Sequence, residues 1–415
     1  MFMPVCALAT PAPAYQWSGA YIGAQVGYGM SADDETYATG LYHYRYQAQG
    51  GSAGVFAGYN HILAGNWLAG VEVEGNGNSF ISHYYDSYYG GNYYTQGWSL
   101  AARLRLGFLA SPSTLFYGSI GVASGNLDYS RGYWAYYNST GYSSPNATVT
   151  GVQFGAGVET FITPQVSVRA EGIFTHYGTE QITDLGNPYI SSIALDTLVA
   201  RVGISYHPGW LGQPAAEMPA PVRGTWSGSY VGGHLGATMF ASAEDYDPAY
   251  SAPYNPAYGV ATPVPGIGVF VGHNWQIGQF VAGVEADGAL VNANIPLSST
   301  PNYGTQSWQA SVRARVGVVT AQNTLFYALI GAAAGGFDYS NYFTASSHYS
   351  GATFTGTGLQ AGAGAEAFLT PKLSARIEGL YTDYGMHAIS YNGGPYWVVN
   401  PRTFEARVGL SLHLN

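Results

Sequence analysis

Along Trp98 to Phe108, WSLAARLRLGF, apolar and polar positions alternate with a period of two. Trp98, Leu100, Ala102, Leu104, Leu106 and Phe108 share one face, while Ser99, Arg103, Arg105 and Gly107 share the other. Such alternation marks a strand with two chemically different faces. The same rhythm sets apart Glu72 and Glu74 within Trp67 to Asn76, Glu159 within Val152 to Phe161, Arg169 and Glu171 within Val166 to Phe174, and Arg201 within Leu198 to Tyr206. Segments of this kind predict eight strands, over residues 17–30, 50–61, 67–80, 96–109, 114–130, 148–162, 165–178 and 193–207. Connections after even strands are short, near 62–66, 110–113 and 163–164, with Pro112 and Pro164 in turns. Those after odd strands are long and polar, near 31–49, 81–95, 131–147 and 179–192. An even number of strands, with short turns at one end and long loops at the other, predicts an antiparallel up-and-down barrel of the transmembrane type.

The pattern is written twice. WSGAYIGAQVG at Trp17 to Gly27 returns as WSGSYVGGHLG at Trp226 to Gly236, GVFAGYN at Gly54 as GVFVGHN at Gly268, AGVEVEG at Ala69 as AGVEADG at Ala282, and TLFY at Thr114 again at Thr324. ARVGIS at Ala200 closes the first copy as ARVGLS at Ala406 closes the second. A duplication that begins and ends on the same strand predicts two complete folding units. The expected fold is therefore all-β: two tandem eight-stranded antiparallel up-and-down transmembrane β-barrels, over residues 15–207 and 226–415, joined by a Pro-rich linker over 208–225. The alternative is one sixteen-stranded barrel. That architecture needs a short turn between His207 and Trp226, where the chain instead carries Pro208, Pro214, Pro219 and Pro221.

Composition sharpens the membrane reading. Only 9% of the 415 residues are charged, against roughly 25% in ordinary soluble proteins, and Lys372 is the single lysine. Hydrophobic residues make up 47%, yet no run approaches the roughly 18 to 20 apolar residues of a membrane helix, so a membrane span must be built from strands. The opening MFMPVCALATPAPA, residues 1–14, reads as the truncated tail of an export signal, with Ala12-Pro13-Ala14 resembling a signal-peptidase site. Cys6, the single cysteine, excludes an internal disulfide framework and lacks a lipobox before it. A net charge of −10 argues against nucleic acid as a partner.

Charge placement decides which face is inside. On the polar strand face the first copy carries Glu72, Glu74, Glu159 and Glu171 with Arg103, Arg105, Arg169 and Arg201; the second carries Glu285, Asp287, Glu366, Glu378 and Glu405 with Arg313, Arg315, Arg376 and Arg407. Nine of the chain's 23 acidic and eight of its 13 basic residues thus sit on this strand face, almost balanced in sign. Charges removed from water need partners, and the arginine fork suits carboxylates, so this balanced set is expected in the lumen as a salt-bridge network. An eight-stranded barrel is about wide enough for side chains to fill, so the network is expected to plug it.

These segments resemble the small outer-membrane β-barrel proteins of Gram-negative bacteria, the porin family of OmpA-like and opacity-type barrels. The resemblance runs from WSGAYIGAQVGYG through GVFAGYN and AGVEVEG to GVQFGAGVETFITPQVSVRAEGIFTHYG and ARVG, and again from WSGSYVGGHLGA to GLQAGAGAEAFLTPKLSARIEGLYTDYG and ARVG. It implies an outer-membrane location, surroundings of outer-membrane lipid and lipopolysaccharide, and a structural or cell-surface role, in some members with haemin binding or weak porin activity. The chain departs from the family in having two barrels and in ending Leu412-His413-Leu414-Asn415 rather than on an aromatic residue.

No HExxH, Walker A or CxxC motif is present, and Gly266, Gly268 and Gly272 mimic a dinucleotide fingerprint only loosely. No cofactor, metal or enzymatic activity is expected. The expected function is that of a non-enzymatic structural or surface protein; the alternatives are porin-like passive transport, and binding of haemin or a host surface through the long loops. Those loops are rich in tyrosine: YHYRY at Tyr42 to Tyr46, HYYDSYYGGNYY at His83 to Tyr94 and YWAYY at Tyr133 to Tyr137. Tyrosine offers broad, fairly rigid contact area. His43 and His83, beside Tyr84 and Tyr85, are the candidate loop ligands for haem iron, with His348 and His387 as second-copy counterparts.

Overall fold

A computed structural model describes residues 15–37, 43–63, 65–86, 90–132, 142–143, 146–183, 190–209, 224–246, 257–260, 263–297, 300–320, 324–343, 348–389 and 397–415. The first sheet consists of β1 (Gly19–Tyr37), β2 (His43–Ile62), β3 (Trp67–Asp86), β4 (Gly90–Ser111), β5 (Thr114–Gly132), β6 (Asn146–Phe161), β7 (Val166–Thr183) and β8 (Ile190–Tyr206). Each strand pairs antiparallel with the next, and β8 pairs back onto β1, with Arg201 opposite Gly27. The second sheet repeats this with β9 (Gly228–Tyr246), β10 (Val264–Ile277), β11 (Phe280–Leu297), β12 (Thr300–Val319), β13 (Thr324–Phe343), β14 (His348–Phe368), β15 (Leu373–Asp383) and β16 (Trp397–His413). It closes through β9 and β16, with Gly236 opposite Arg407. Short strands at Tyr142–Ser143, Ala257–Val260 and His387–Ile389 extend the hairpin rims. Each sheet closes on itself, so the chain forms two eight-stranded barrels rather than one of sixteen strands. Closure leaves neither sheet with a free edge strand, which is what a strand structure in hydrocarbon requires.

At the short-turn end, Gly65 and Gly278 hold equivalent turn positions with φ of 60° and 62°. That left-handed backbone favours glycine. At the opposite end the strands run further than the alternation suggested. β1 reaches Tyr37 and β2 begins at His43, so most of the span expected as a 31–49 loop is paired strand. Likewise β3 and β4 stay paired out to Asp86 and Gly90. In the first barrel the strands are 16 to 22 residues long, whereas about 9 to 11 tilted residues cross a bilayer. The excess forms hairpin arms beyond the membrane. The alternation signal fades there because neither face of such an arm is lipid-facing.

Facing follows the charges. Val71 and Val73 are 53% and 58% exposed, while Glu72 between them is 2% exposed. Leu100, Leu104 and Leu106 likewise point outward. The lumen fits its contents through glycine. A Cβ on Gly23 would collide with the Phe56 ring and with the Ile204 carbonyl, and one on Gly232 with the equivalent Phe270 ring and the Leu410 carbonyl. The ring that occupies this space carries an arginine: Arg169 stacks on Phe56 at 3.4 Å and Arg376 on Phe270 at 3.3 Å. We predict that Gly23→Ala and Gly232→Ala each reduce the fraction of protein showing the folded, heat-modifiable gel mobility, whereas Gly65→Ala, with no atom near its Cβ position, disturbs only its local turn.

Candidate functional site: the filled lumens

The structure brings the charged side chains of the first barrel into one buried lattice. Glu72 on β3 is its centre. It accepts from Arg103 Nε at 2.9 Å, from Arg169 Nη1 at 2.7 Å, from Arg105 Nη1 at 3.3 Å and from the Tyr21 hydroxyl at 2.8 Å. Arg105 also donates to Glu159 at 2.7 Å and to Tyr21 at 2.7 Å. Arg201 grips both Glu74 oxygens, at 3.0 and 2.6 Å, and donates to Glu171 at 2.7 Å. Tyr117 donates to Glu171 at 2.8 Å and lies under the Arg105 guanidinium at 3.9 Å. Four arginines from β4, β7 and β8 are thereby spread over four carboxylates from β3, β6 and β7. Bidentate and shared contacts of this kind offset the desolvation that an isolated buried ion would suffer.

In the second barrel Glu285 takes the place of Glu72. It accepts from Arg376 at 2.6 Å, from Arg313 Nε at 3.1 Å and from Tyr230 at 2.9 Å. Arg315 donates to Glu366 at 2.9 Å, and Arg407 to Glu378 at 2.6 Å and to Asp287 at 3.2 Å. Tyr327 donates to Glu378 at 2.6 Å. Among the lumen positions that differ between the copies, His234 stands for Gln25, Asp287 for Glu74, Gln309 for Ser99 and Glu405 for Val199. The additional carboxylate has its own neighbours. Gln309 donates to Glu405 at 2.8 Å, and His234 lies 3.0 Å from Asp287 and 3.9 Å from Glu405. Counting charges along the strands finds the imbalance but not Gln309 or His234, which sit on inward positions.

Above and below the lattice, apolar clusters join the filling of the lumen. At the short-turn end Trp17 and Phe161 stack edge-on at 4.6 Å, packed with Leu68, Leu109 and Leu115, and Trp17 Nε1 donates to the Pro112 carbonyl at 2.8 Å. Trp226 and Phe368 repeat the arrangement at 4.5 Å. At the hairpin end Leu127, Val149, Tyr177, Ile193 and Leu195 fill the first lumen, and Phe240, Phe337, Tyr339 and Tyr384 contribute to filling the second. These plugs were missed in the sequence, although a signal existed: Leu68 and Phe161 keep the inward parity of Glu72 and Glu159.

One duplicated cluster resembles hydrolytic machinery. Ser167 Oγ lies 3.1 Å from His207 Nε2 and donates to Glu159 at 2.6 Å; Ser374, His413 and Glu366 repeat this at 3.0 and 2.5 Å. In a nucleophilic triad the carboxylate orients the imidazole from its far nitrogen. Here the carboxylate holds the serine instead, and both serines are wholly buried.

The candidate loop residues fall on the hairpin arms. The backbone of His43 belongs to β2, opposite Thr36, and those of His83, Tyr84 and Tyr85 belong to β3, opposite Tyr93, Asn92 and Gly91. His348 starts β14. His387 Nε2 lies 2.8 Å from the Tyr384 carbonyl and its ring packs on Phe354. Tyr133 to Tyr137 lie outside the described residues.

Comparison with known proteins follows this architecture. The family model described as "Outer membrane protein beta-barrel domain" matches twice, over residues 1–207 and 211–411. The chain belongs to that family. It is thus an outer-membrane β-barrel protein carrying the family's domain in tandem. A 22 kDa outer membrane protein of Rhizobium leguminosarum is 33% identical over 183 residues, covering 44% of this chain and 75% of the relative. A 31 kDa outer-membrane immunogenic protein of Brucella melitensis is 28% identical over 218 residues, covering 49% of this chain and 88% of the relative. Each relative therefore corresponds to about one half of this chain. Among solved structures, Neisserial surface protein A matches 45% of this chain and 97% of its own at 18% identity and a TM-score of 0.25. The Pseudomonas putida toluene transporter TodX matches 95% and 89% at 9% identity and a TM-score of 0.31. Scores at that level carry no argument about this outer-membrane barrel pair.

Removing the centre of the lattice strands several cations at once. Glu72→Gln is expected to cost about 3 to 5 kcal/mol, the usual penalty for leaving buried charge uncompensated, and more than Glu74→Gln, which pairs with two arginines, Arg201 and Arg103, where Glu72 pairs with three. Urea unfolding in lipid vesicles, followed by tryptophan fluorescence, checks the order.

Proposed function

We propose that this protein is a non-enzymatic component of the outer membrane with a structural and cell-surface role, its two barrels closed to solutes. The observation that carries the reading is the layered filling of each lumen: an apolar plug at the short-turn end, the arginine–carboxylate lattice, and a largely apolar cluster at the hairpin end. A conducting pore needs water along its axis, and these positions are occupied by interlocked side chains instead. The enclosure of the Ser167 and Ser374 hydroxyls, and their engagement by carboxylates, supports a non-enzymatic role. The outward belt of valine, leucine and tryptophan meets outer-membrane lipid, and the hairpin arms stand among lipopolysaccharide head groups. The names of the Brucella relatives, outer-membrane immunogenic proteins, agree with arms presented at a surface.

A second reading, capture of haemin or contact with a host surface, draws on the tyrosine-rich arms around His43, His83, Tyr84 and Tyr85. It adds a ligand to the same scaffold without requiring an open lumen. Under it, haemin titration shifts the Soret band of the wild type, and His43→Ala with His83→Ala abolishes the shift. A shift that survives both substitutions removes those ligands.

The closed-lumen reading is tested in planar bilayers. Purified protein is expected to insert without discrete conductance steps, and reproducible steps of uniform size would overturn it. Glu72→Ala with Arg105→Ala, which empties the middle of the first lattice, is expected to introduce steps or bursts absent from the wild type.

A further inference from the structure

The outward faces of the two barrels touch, and they do so reciprocally. Gly172 on β7 lies against Ala406 on β16, while Gly379 on β15, the repeat equivalent of Gly172, lies against Ala200 on β8, the equivalent of Ala406. Thr114 Oγ1 lies 3.0 Å from Thr324 Oγ1, its own equivalent. Crossed pairs flanking a residue that meets its own counterpart define an isologous, two-fold contact.

The burial pattern follows the same symmetry. Val158, Ala170, Ala365 and Ile377 occupy outward positions, yet they form one buried cluster. Val158 and Ala365 are repeat equivalents, as are Ala170 and Ile377. A second buried cluster joins Met30 with its equivalent Met239, Ala32 with Ala241, and Leu198 with Phe404. The copies differ here in side-chain size. Tyr28 packs edge-on to Tyr381 at 6.3 Å and lies near Phe404, whereas its counterpart Ala237 shares the cluster with the smaller Leu198. The two grooves beside the contact line are also equivalent, one walled by Val26 and Phe280 and the other by Leu235 and Trp67.

Lipid is as apolar as these faces, so burial against a partner gains little from the hydrophobic effect. Close packing of small residues is what can favour protein over lipid. Glycine at 172 and 379 provides it. A Cβ there would meet only Ala406 or Ala200 of the other barrel.

We propose that the outward face of β6, β7 and β8, with its counterpart on β14, β15 and β16, is a homotypic barrel-pairing surface whose partner is a second copy of the same fold. The duplication supplies that partner within the chain, and pairing depends on the face rather than on the tether.

The test uses the full chain with a protease site placed within residues 210–223, folded in mild detergent and then cut. The two halves are expected to co-elute from a sizing column. With Gly172→Leu and Gly379→Leu they are expected to separate, each half keeping heat-modifiable mobility. Separation of the cut wild type overturns the proposal, as does continued co-elution of the leucine variant. Loss of folding in either half of that variant also counts against it, because each barrel's own atoms lie clear of the substituted positions. A second measurement needs no bulky residue. In a Cys6→Ser background, Thr114→Cys with Thr324→Cys is expected to form a disulfide on oxidation that joins the cut halves on a non-reducing gel, and failure to join them overturns the proposal.

Discussion

A closed lumen surrounded by hydrocarbon admits charge only in matched sets, and the arginine–carboxylate lattice is the interaction on which the other features depend. Glu72 is buried against Arg103, Arg105 and Arg169, and each of those arginines is shared with a second carboxylate, Glu171 or Glu159. The lattice in turn dictates its walls. Arg169 needs the face of Phe56, Phe56 needs the space beside Gly23, and Arg105 needs the face of Tyr117. The glycine and tyrosine richness of the chain is therefore, at these positions, a packing requirement of the ion lattice. Because buried ion pairs roughly break even against apolar filling in stability, their main effect is on specificity. An arginine has few places to go in a lumen whose carboxylates are fixed, which pins strand register and barrel closure.

The alternation of apolar and polar residues made the strands, their count, the duplication and the inward charges legible. What it left out shares one physical cause: period two distinguishes inside from outside, and nothing finer. Trp17 and Phe161 lie on inward positions, but an apolar residue facing a lumen looks like a lapse in alternation until the plug is seen. Val158 and Val152 both face outward, yet one is buried and the other 43% exposed. Lipid and a neighbouring barrel impose the same preference on a side chain, so no pattern in one strand tells them apart. The hairpin arms look like loops in the sequence for a related reason. An arm that leaves the membrane needs no apolar face and so loses the alternation, although the backbones of His43 to Tyr46 continue the ladder.

The second lumen indicates how such a lattice can change during divergence. Gaining Glu405 where the first copy has Val199 adds a charge that the four arginines do not match. It is accompanied by Gln309 where the first copy has Ser99 and by His234 where it has Gln25, each within reach of the new carboxylate or of its neighbour Asp287. Polar exchange in an enclosed space proceeds by groups of residues because a lone change leaves an unsatisfied partner. Outside the barrel no such coupling operates, which is why the arms differ between the copies far more than the strands do.

The same reasoning links the lumen to the seam. Inward positions of β6, β7 and β8 hold Glu159, Arg169, Glu171 and Arg201, so the lattice stiffens those strands from within. Their outward positions hold Val158, Ala170, Gly172 and Ala200, small or compact residues that need a firm backbone to present a flat face. A floppy sheet with glycine on its surface would gain nothing over lipid, whereas a sheet held in register by buried salt bridges can offer a fixed shape for a second copy to fit. Strand stiffening on one face and barrel pairing on the other are thus two consequences of a single set of residues alternating along the same three strands.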